Sequence, residues 1–233
     1  MMIIGRGMIA KAFGVSNNQL SNCILFASGV SNSKCDDPIE FEKELSLLKS
    51  TLKYNKRLIY FSTSSIFDPN LESSSYVKHK LQIESFIKGH FKEYIIYRLP
   101  NVVGKTKNKN TLINNFSDAI LTGTTVRLFK NSTRYIIDVD DVVNYVHLTK
   151  NMSNCIVNLN FNINYTITEI WKEIELVLDK KGQAIVIDQG SEYKIDNSLF
   201  ICELGEIEIP ELNEVNYIRK TLQKYLLQRF PKE

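Results

Sequence analysis

The amino-acid sequence predicts an α/β fold in which helices cover both faces of a parallel β-sheet, with a small C-terminal α/β lobe. Short apolar runs, typical of buried strands, alternate along the chain with segments whose apolar residues recur at helical spacing. The first run leads directly into a Gly-x-Gly turn, as is common where a parallel sheet binds a ligand. The chain has 233 residues, of which 43% are hydrophobic, so it can bury a sizeable core.

The predicted strands are short, and most of them are continuously apolar, as expected of strands that are covered on both faces. They span residues 1–4, 23–28, 57–62, 94–99, 125–129, 135–139, 158–162 and 184–187. The segment 158–162 differs from the others because its apolar and polar residues alternate, which predicts a strand with one face in water.

Helices are predicted between these strands, over residues 8–13, 37–54, 73–88, 111–121, 140–149, 168–178 and 214–229. Asp36 and Asp37 supply a capping carboxylate just before Pro38, which together predict the start of the second helix. Its apolar face is formed by Phe41, Leu45, Leu48 and Leu52. The third helix is expected to end at Gly89.

The turn Gly5-Arg6-Gly7 follows the first strand and precedes the first helix. Glycines at this place let the backbone approach a pyrophosphate, whose charge is favoured by the helix N-terminus. Ala10 stands where a third glycine is usual, and it still allows close packing of the helix on the sheet. The motif by itself is not specific, since tight turns without a ligand also contain it.

Tyr76 and Lys80 are four residues apart on a predicted helix and therefore share one face. A nearby ammonium favours the ionised phenol, so Tyr76 could act as an acid–base near neutral pH. A chain with 11 tyrosines should contain about one Tyr-x-x-x-Lys by chance. The position of Thr63 makes chance less convincing, because it ends the preceding strand at the edge where parallel sheets bind ligands.

The order of these motifs, continued by Arg98-Leu-Pro-Asn-Val-Val-Gly104 and Arg134-Tyr-Ile-Ile-Asp-Val-Asp-Asp141, resembles the extended short-chain dehydrogenases/reductases. These form the NAD(P)-dependent epimerase/dehydratase family that acts on nucleotide sugars, and the resemblance covers residues 1 to about 180. It implies a Rossmann-like sheet, with a cofactor-binding core over 1–104 and 135–150 and a substrate-binding lobe over 105–134 and 151–233, all in one domain.

The resemblance also implies roles for individual residues. Thr63 would orient the sugar oxygen, Tyr76 would be the general acid–base, and Lys80 would hold the nicotinamide ribose. The implied cofactor contacts, to NAD or NADP, are Gly5, Arg6, Gly7, Met8, Ile9, Ala27, Ser62, Tyr76, Lys80 and Pro100. The implied substrate contacts are Thr63, Ser64, Asn101 and Arg134, the last of which would grip the diphosphate. For Arg127 and Asp138 a solvated or structural role is as plausible as a ligand contact.

The chain departs from this family between its first helix and its second strand. Only about ten residues separate Phe13 from the strand at 23–28, whereas a crossover to a parallel strand needs roughly a dozen or more. Two strands of the family's sheet are therefore expected to be missing, which would leave the first strand at the sheet edge. The missing segment normally carries the residue that distinguishes NAD from NADP, so the sequence does not choose between them.

Three functions remain open. Ser64 and Ser65 stand where sugar dehydratases carry an acidic pair, which argues against dehydration. A ketoreductase exchanges its cofactor at every turnover and tolerates an incomplete adenosine site, so reduction of a keto sugar nucleotide is favoured over epimerisation with tightly held NAD. A non-catalytic dinucleotide sensor or scaffold is the third alternative, but such a protein would have little reason to keep Thr63, Tyr76 and Lys80 together.

Composition sets the remaining expectations. The net charge of +3 is spread along the chain, which does not favour nucleic acid or a membrane surface as a partner. The four cysteines lack the spacing of a metal site, so no metal is expected. No apolar run reaches the roughly 18 residues that span a bilayer, and no signal peptide is recognisable, so a cytoplasmic protein is expected. The family resemblance further implies a homodimer, because the helices at 37–54 and 73–88 match those that form the dimer interface of relatives.

Overall fold

A parallel five-stranded sheet forms the centre of the first of two compact units. The computed structural model of the chain describes residues 1–16, 20–161, 163–196, 198 and 216–229. The strands of this sheet are β1 (Met2–Ile4), β2 (Cys23–Phe26), β3 (Arg57–Thr63), β4 (Tyr94–Leu99) and β8 (Cys155–Asn158), in the order β1-β2-β3-β4-β8. The predicted parallel α/β fold is confirmed, and so is the predicted edge position of β1, whose neighbour is β2.

Helices pack on both faces of this sheet because consecutive residues of its central strands, which point to opposite faces, are buried. The helices are α1 (Met8–Val15), α2 (Pro38–Lys49), α3 (Ser75–His90) and α5 (Val139–Leu148). On one face, Tyr60 of β3 belongs to a buried cluster with Leu48 of α2 and Ile83 of α3. On the other face, the ring of Phe61 lies 5.8 Å from that of Phe13 on α1.

The predicted start of the second helix is confirmed in detail. Asp37 is the N-cap, its carboxylate accepts a hydrogen bond from the backbone N–H of Ile39 at 2.9 Å, and Pro38 is the first helical residue. This helix ends at Lys49, and a separate 3-10 turn over Leu52–Tyr54 completes the segment that was predicted as one helix.

The predicted end of the third helix is wrong. Helix α3 continues through Gly89 to His90, and Phe91 caps it in an extended conformation, with its N–H donating to the carbonyl of Ile87. Gly89 does not take the left-handed conformation that makes glycine a helix terminator. The glycine is therefore an ordinary helical residue on the exposed side of α3.

The predicted strand over 158–162 is also wrong. Strand β8 ends at Asn158, and the next strand begins only at Asn164. Leu159, Asn160 and Phe161 are all buried, so the alternating polar residues do not mark a face in water. Asn162 lies outside the described residues, as do Cys202 and the first residues of the helix that was predicted from 214.

In its described residues, the second unit is built from short strands and three helices. Its elements are β5 (Asn101–Val103), α4 (Leu112–Thr122), β6 (Val126–Phe129), β7 (Thr133–Asp138), β9 (Asn164–Thr166), α6 (Ile167–Leu178), β10 (Ala184–Ile187) and α7 (Tyr217–Arg229). Strand β7 pairs with β5 in parallel and with β9 antiparallel, while β10 pairs with β6 in parallel. Trp171 of α6 packs edge-on against Phe116 of α4 in its core.

By compactness the chain divides after Leu99. The first unit includes Met1–Leu99 and Val139–Leu159, and the second includes Pro100–Asp138 and Asn160–Lys194 together with α7. The assignment of the two units to cofactor and substrate stays a prediction. Among the described residues, no helix has both the length and the apolar character needed to cross a membrane.

Candidate active site

The glycine turn after β1 is fixed by its close packing on β2. Gly5 has a φ of +131°, and a Cβ atom on it would lie 2.2 Å from the carbonyl oxygen of Ala27. The backbone N–H of Ala27 donates to the carbonyl of Ile4 at 2.7 Å, which holds the two strand ends together. Only glycine fits at position 5, so this residue is explained by the fold alone.

Gly7 is different, because the fold does not require it. It is the N-cap of α1, its φ is −74°, and a Cβ atom there would meet nothing within 4 Å. No side chain in the described part of the protein caps this helix, and its first turn contains no acidic residue. The open space and the uncapped N–H groups fit a pyrophosphate, which is the group that the motif predicts there. Arg6 is exposed, Met8 and Ile9 are half-buried, and Ala10 is buried.

Thr63 lies at the C-terminal end of β3, as predicted. Its hydroxyl accepts a 3.0 Å hydrogen bond from the N–H of Ser65. This bond caps the following 3-10 turn, which spans Ser64–Phe67. The neighbouring hydroxyls are engaged as well: Ser62 donates to Glu84 at 2.6 Å, and Ser64 donates to the carbonyl of Arg98 at 3.3 Å. Strands β1, β2 and β3 are parallel, so their C-terminal ends lie side by side. Gly5, Ala27 and Thr63, which stand at these ends, therefore lie on the same side of the sheet.

Tyr76 and Lys80 lie on the first turns of α3, and both are buried. The Lys80 Nζ atom is 5.9 Å from the centre of the Tyr76 ring, so the ammonium lies near the aromatic ring of this tyrosine. The predicted sharing of one helix face is therefore present in the structure. Ser74 caps the helix by accepting a hydrogen bond from the N–H of Val77 at 3.2 Å, which fixes the turn that carries Tyr76.

The immediate partner of Lys80 is a residue that the sequence did not suggest. Nζ lies 2.9 Å from Oε1 and 3.2 Å from Oε2 of Glu44, and 3.0 Å from the hydroxyl of Tyr60. The Tyr60 hydroxyl in turn donates to Oε1 of Glu44 at 2.6 Å. Glu44, on α2, is only 3% exposed. It stands among Glu40, Glu42 and Lys43, and no local signal in the sequence distinguishes it from them.

Two more groups complete the shell of Glu44. His79 Nε2 lies 2.9 Å from Oε2, and the backbone N–H of Val30 donates to the same oxygen at 2.8 Å. Burial by itself would raise the pKa of Glu44, but the charge of Lys80 and the hydrogen bonds from His79, Tyr60 and Lys80 outweigh it and lower that pKa to about 2. Burial and the adjacent Glu44 raise the pKa of Tyr60 well above its usual range. Near neutral pH the Tyr60 hydroxyl therefore keeps its proton and donates it in a hydrogen bond to the ionised carboxylate of Glu44.

A second buried ion pair anchors α3 to the sheet one helical turn further on. Glu84 accepts hydrogen bonds from Arg98 Nε at 3.0 Å and from a terminal nitrogen of the same guanidinium at 2.6 Å. Together with the bond from Ser62, this pair joins α3 to β3 and β4. Helix α3 is thus held by specific polar contacts as well as by apolar packing.

Three predicted site residues belong to the second unit. Asn101 is half-buried and its amide donates to the carbonyl of Tyr135 at 3.1 Å, while Pro100 precedes it at the start of that unit. Arg134 is half-buried and donates to the carbonyl of Thr133 at 2.7 Å. Of the two residues without an assigned role, Arg127 is exposed. Asp138 is buried and binds residues of α7, which gives it a structural role.

A parallel sheet that carries a glycine turn after β1, a threonine at the end of β3 and a Tyr-x-x-x-Lys helix defines the short-chain dehydrogenase/reductase class. The comparison with protein families narrows this class. The model of the NAD dependent epimerase/dehydratase family matches residues 26–163, more than half of the chain. The chain belongs to this family, which confirms the resemblance found in the sequence.

Solved structures confirm the fold. The enzyme WbmH of Bordetella bronchiseptica, in complex with NAD+, superposes with a TM-score of 0.71 at 16% identity, over 90% of this chain and 76% of that one. RMD of Pseudomonas aeruginosa, complexed with NADPH, gives a TM-score of 0.63 at 12% identity, over 94% and 88%. The UDP-glucose 4-epimerase of Thermus thermophilus, with NAD, gives 0.65 at 15% identity, over 86% and 76%. The search of curated proteins gives no match.

Proposed function

We propose that the protein is an NAD(P)-dependent oxidoreductase that reduces a keto group of a nucleotide-linked sugar. The observation that carries this proposal is the placement of Thr63 at the end of β3 together with Tyr76 and Lys80 on one face of α3. A hydroxyl, a phenol and an ammonium at a sheet edge are what a carbonyl reduction needs: one group to orient the oxygen, one to deliver a proton, and one to favour the phenolate.

In this mechanism a nicotinamide cofactor, when bound, would supply the hydride that reduces the carbonyl group. Tyr76 donates its phenolic proton to the oxygen, which becomes the alcohol of the product. Thr63 holds that oxygen by a hydrogen bond, and the charge of Lys80 stabilises the phenolate that remains. The N-terminus of α1, with Gly5, Arg6, Gly7, Met8 and Ile9, would hold the pyrophosphate, and Ala27, Ser62, Lys80 and Pro100 would contact the nicotinamide half. Asn101, Ser64 and Arg134 would bind the substrate.

The edge position of β1 favours reduction over epimerisation. In the described part of the chain no strand lies outside β1, so the adenosine half of a dinucleotide would lack the wall that further strands supply. An epimerase must keep NAD bound through oxidation and re-reduction, whereas a reductase releases its cofactor at each turnover. A site with weak adenosine contacts therefore suits a reductase. Ser64 and Ser65, in place of an acidic pair, argue against a dehydratase.

Epimerisation with tightly held NAD is the second candidate. Several structurally similar proteins are epimerases, among them the Thermus thermophilus protein and the ADP-L-glycero-D-manno-heptose-6-epimerase of Helicobacter pylori. The two candidate functions differ in whether the purified protein contains bound NAD and in the sugar product that it forms. An epimerase should purify with bound NAD and interconvert two sugars without added cofactor.

The test has two stages. Thermal unfolding with and without NADH and NADPH identifies the cofactor, because a ligand that binds only the folded state raises the unfolding temperature. Keto and hydroxy forms of nucleotide sugars are then incubated with each cofactor, and the products are identified by NMR. A reductase consumes one reduced cofactor per product alcohol. If neither NADH nor NADPH stabilised the protein, the result would favour a scaffold and contradict the proposal.

A further inference from the structure

Two of the three N–H groups of Lys80 are engaged inside the protein. Nζ lies within 3.2 Å of both carboxylate oxygens of Glu44, which share one N–H because they are too close together to take two, and it donates another to the hydroxyl of Tyr60. Lys80 is also only 2% exposed. The lysine that the proposed function assigns to the cofactor and to Tyr76 is therefore held by a carboxylate that belongs to neither.

The Glu44–Lys80 ion pair is tightly enclosed by the backbone of the loop after β2. A Cβ atom on Gly29 would lie 2.6 Å from Oε1 of Glu44 and 2.7 Å from Nζ of Lys80. The loop after β2 closes over the pair through Gly29 and through the N–H of Val30, which binds Oε2 of Glu44. Residues from that loop, from α2, from β3 and from α3 thus converge on one carboxylate.

Electrostatics explains what this carboxylate does for the lysine. A buried ammonium without a counter-charge loses its proton readily, because the charged form is poorly solvated. Glu44 is the carboxylate in contact with Nζ, and the groups that face the lysine from its own helix are Tyr76 and His79. Tyr60 faces it from β3, and the carboxylate of Glu84 is already neutralised by Arg98.

We propose that Glu44 is a positioning residue of the active site: it keeps the buried Lys80 protonated and fixes Nζ beside Tyr76. This inference rests on the proposed function, since it concerns the lysine that would serve the cofactor and the phenol. The two N–H groups that Glu44 and Tyr60 accept fix the direction of the third, which is the one left for a ribose hydroxyl of the cofactor.

The kinetic test is Glu44→Gln, which keeps the shape of the side chain and removes its charge. At pH 8 the kcat/KM for the keto substrate should fall by about 10- to 100-fold, because the loss of the counter-charge disfavours the charged ammonium beside Tyr76. As the pH is lowered the rate should recover by up to about tenfold per unit, since Lys80 regains its proton in that ratio. A fall of equal size at every pH would mean that Glu44 only supports the fold, and would overturn the proposal.

Two further variants separate Glu44 from its neighbours. Glu44→Asp retains the charge on a shorter side chain, so it should restore most of the rate at pH 8. His79→Gln leaves the Glu44–Lys80 pair in place and removes the only imidazole in contact with Glu44 among the described residues. It should keep the pH profile of the parent protein. If His79→Gln reproduced the profile of Glu44→Gln, the imidazole and not Lys80 would be the titrating group, and the proposal would be wrong.

A measurement without turnover keeps this inference separate from the proposed function. The ¹³Cε signal of Lys80, assigned by its loss in Lys80→Met, should titrate at lower pH in Glu44→Gln than in the parent protein. Identical titrations would overturn the proposal whether or not the protein is an enzyme. A shifted titration in a protein that turns over no nucleotide sugar would support the role of Glu44 and refute the proposed function. If Glu44→Gln does not fold, Glu44→Asp is titrated instead and should show a smaller shift in the same direction.

Discussion

The hydroxyl of Tyr225 donates a 2.6 Å hydrogen bond to Oδ1 of Asp138, and the ammonium of Lys224 lies 2.8 Å from Oδ2 of the same carboxylate. Asp138 is the last residue of β7, and both partners belong to α7. Burial and the hydrogen bond to Asp138 raise the pKa of Tyr225, so its phenol remains a donor. This pair fastens the C-terminal helix to the strands of the second unit.

Tyr225→Phe should therefore lower the free energy of unfolding by about 1.5–3 kcal/mol, the usual contribution of a hydrogen bond to a charged group. Chemical denaturation measures this change. Tyr54→Phe is the matched control, because Tyr54 is 41% exposed and the same hydroxyl is removed at the surface. Equal stabilities of the two variants would contradict the role given to Asp138.

Tyr76→Phe should stop hydride transfer while leaving substrate binding nearly unchanged, because it removes the proton donor and keeps the ring. A positioned acid typically contributes about 10²–10⁴-fold in rate, and kcat should fall by that factor. Stopped-flow absorbance of NADH or NADPH follows the step directly. Turnover of a true substrate at the parent rate would show that Tyr76 is not the acid. Lys80→Ala should be as harmful and should also weaken cofactor binding.

Arg134→Ala should mainly raise KM, with a smaller effect on kcat, because a grip on the substrate diphosphate acts equally on the ground state and the transition state. The comparison requires steady-state kinetics with the nucleotide sugar and with the sugar alone. Arg127→Ala is the control, since Arg127 is an exposed arginine on β6, the strand that precedes β7 in the chain. A large loss of kcat with unchanged KM would place Arg134 in the chemical step instead.

The buried carboxylate of Glu44 predicts a specific loss of stability in acid. Its pKa is lowered from 4.5 to about 2 in the folded protein, so the folded state binds its proton less readily than the unfolded chain does. The resulting stabilisation is complete above pH 4.5 and disappears as the pH falls towards 2. A shift of this size corresponds to something on the order of 3 kcal/mol.

Urea unfolding at several pH values tests this expectation. The parent protein should lose stability steeply between pH 4.5 and pH 2, the interval set by the two pKa values of Glu44. Glu44→Gln carries no titrating carboxylate at this position, so the difference in unfolding free energy between parent and variant should shrink over that interval. A constant difference would mean that Glu44 is not ionised and paired in the folded state.

A homodimer through α2 and α3 remains a prediction. Exposed apolar side chains on these helices are consistent with it: Ile39 is 63% exposed, Leu47 39% and Leu81 43%. Leu81→Glu should then yield a monomer, because a charge at a closely packed apolar interface is strongly unfavourable. Light scattering of the eluting protein gives the mass directly. A parent protein that is monomeric at micromolar concentration would contradict this prediction.

The sequence determined the order of the elements, the parallel sheet and the edge position of β1. These follow from local patterns, since apolar runs, caps and connection lengths act between residues that are close in the chain. The glycine turn, Thr63 and the Tyr76–Lys80 spacing could be located for the same reason. Two predictions from local patterns were wrong. Glycine at position 89 predicted a helix end, but α3 continues to His90. The alternation over 158–162 predicted a strand, but β8 ends at Asn158.

Only the tertiary structure decided what surrounds Lys80. Glu44 is 36 residues from Lys80 in the chain, and nothing in the spacing of α2 distinguishes it from the exposed glutamates at 40 and 42. It becomes a partner of the lysine because α2 and α3 pack on the same face of the sheet beside Tyr60. A side chain's charge is visible in the sequence, but its burial and its counter-charge exist only once the helices have been brought together.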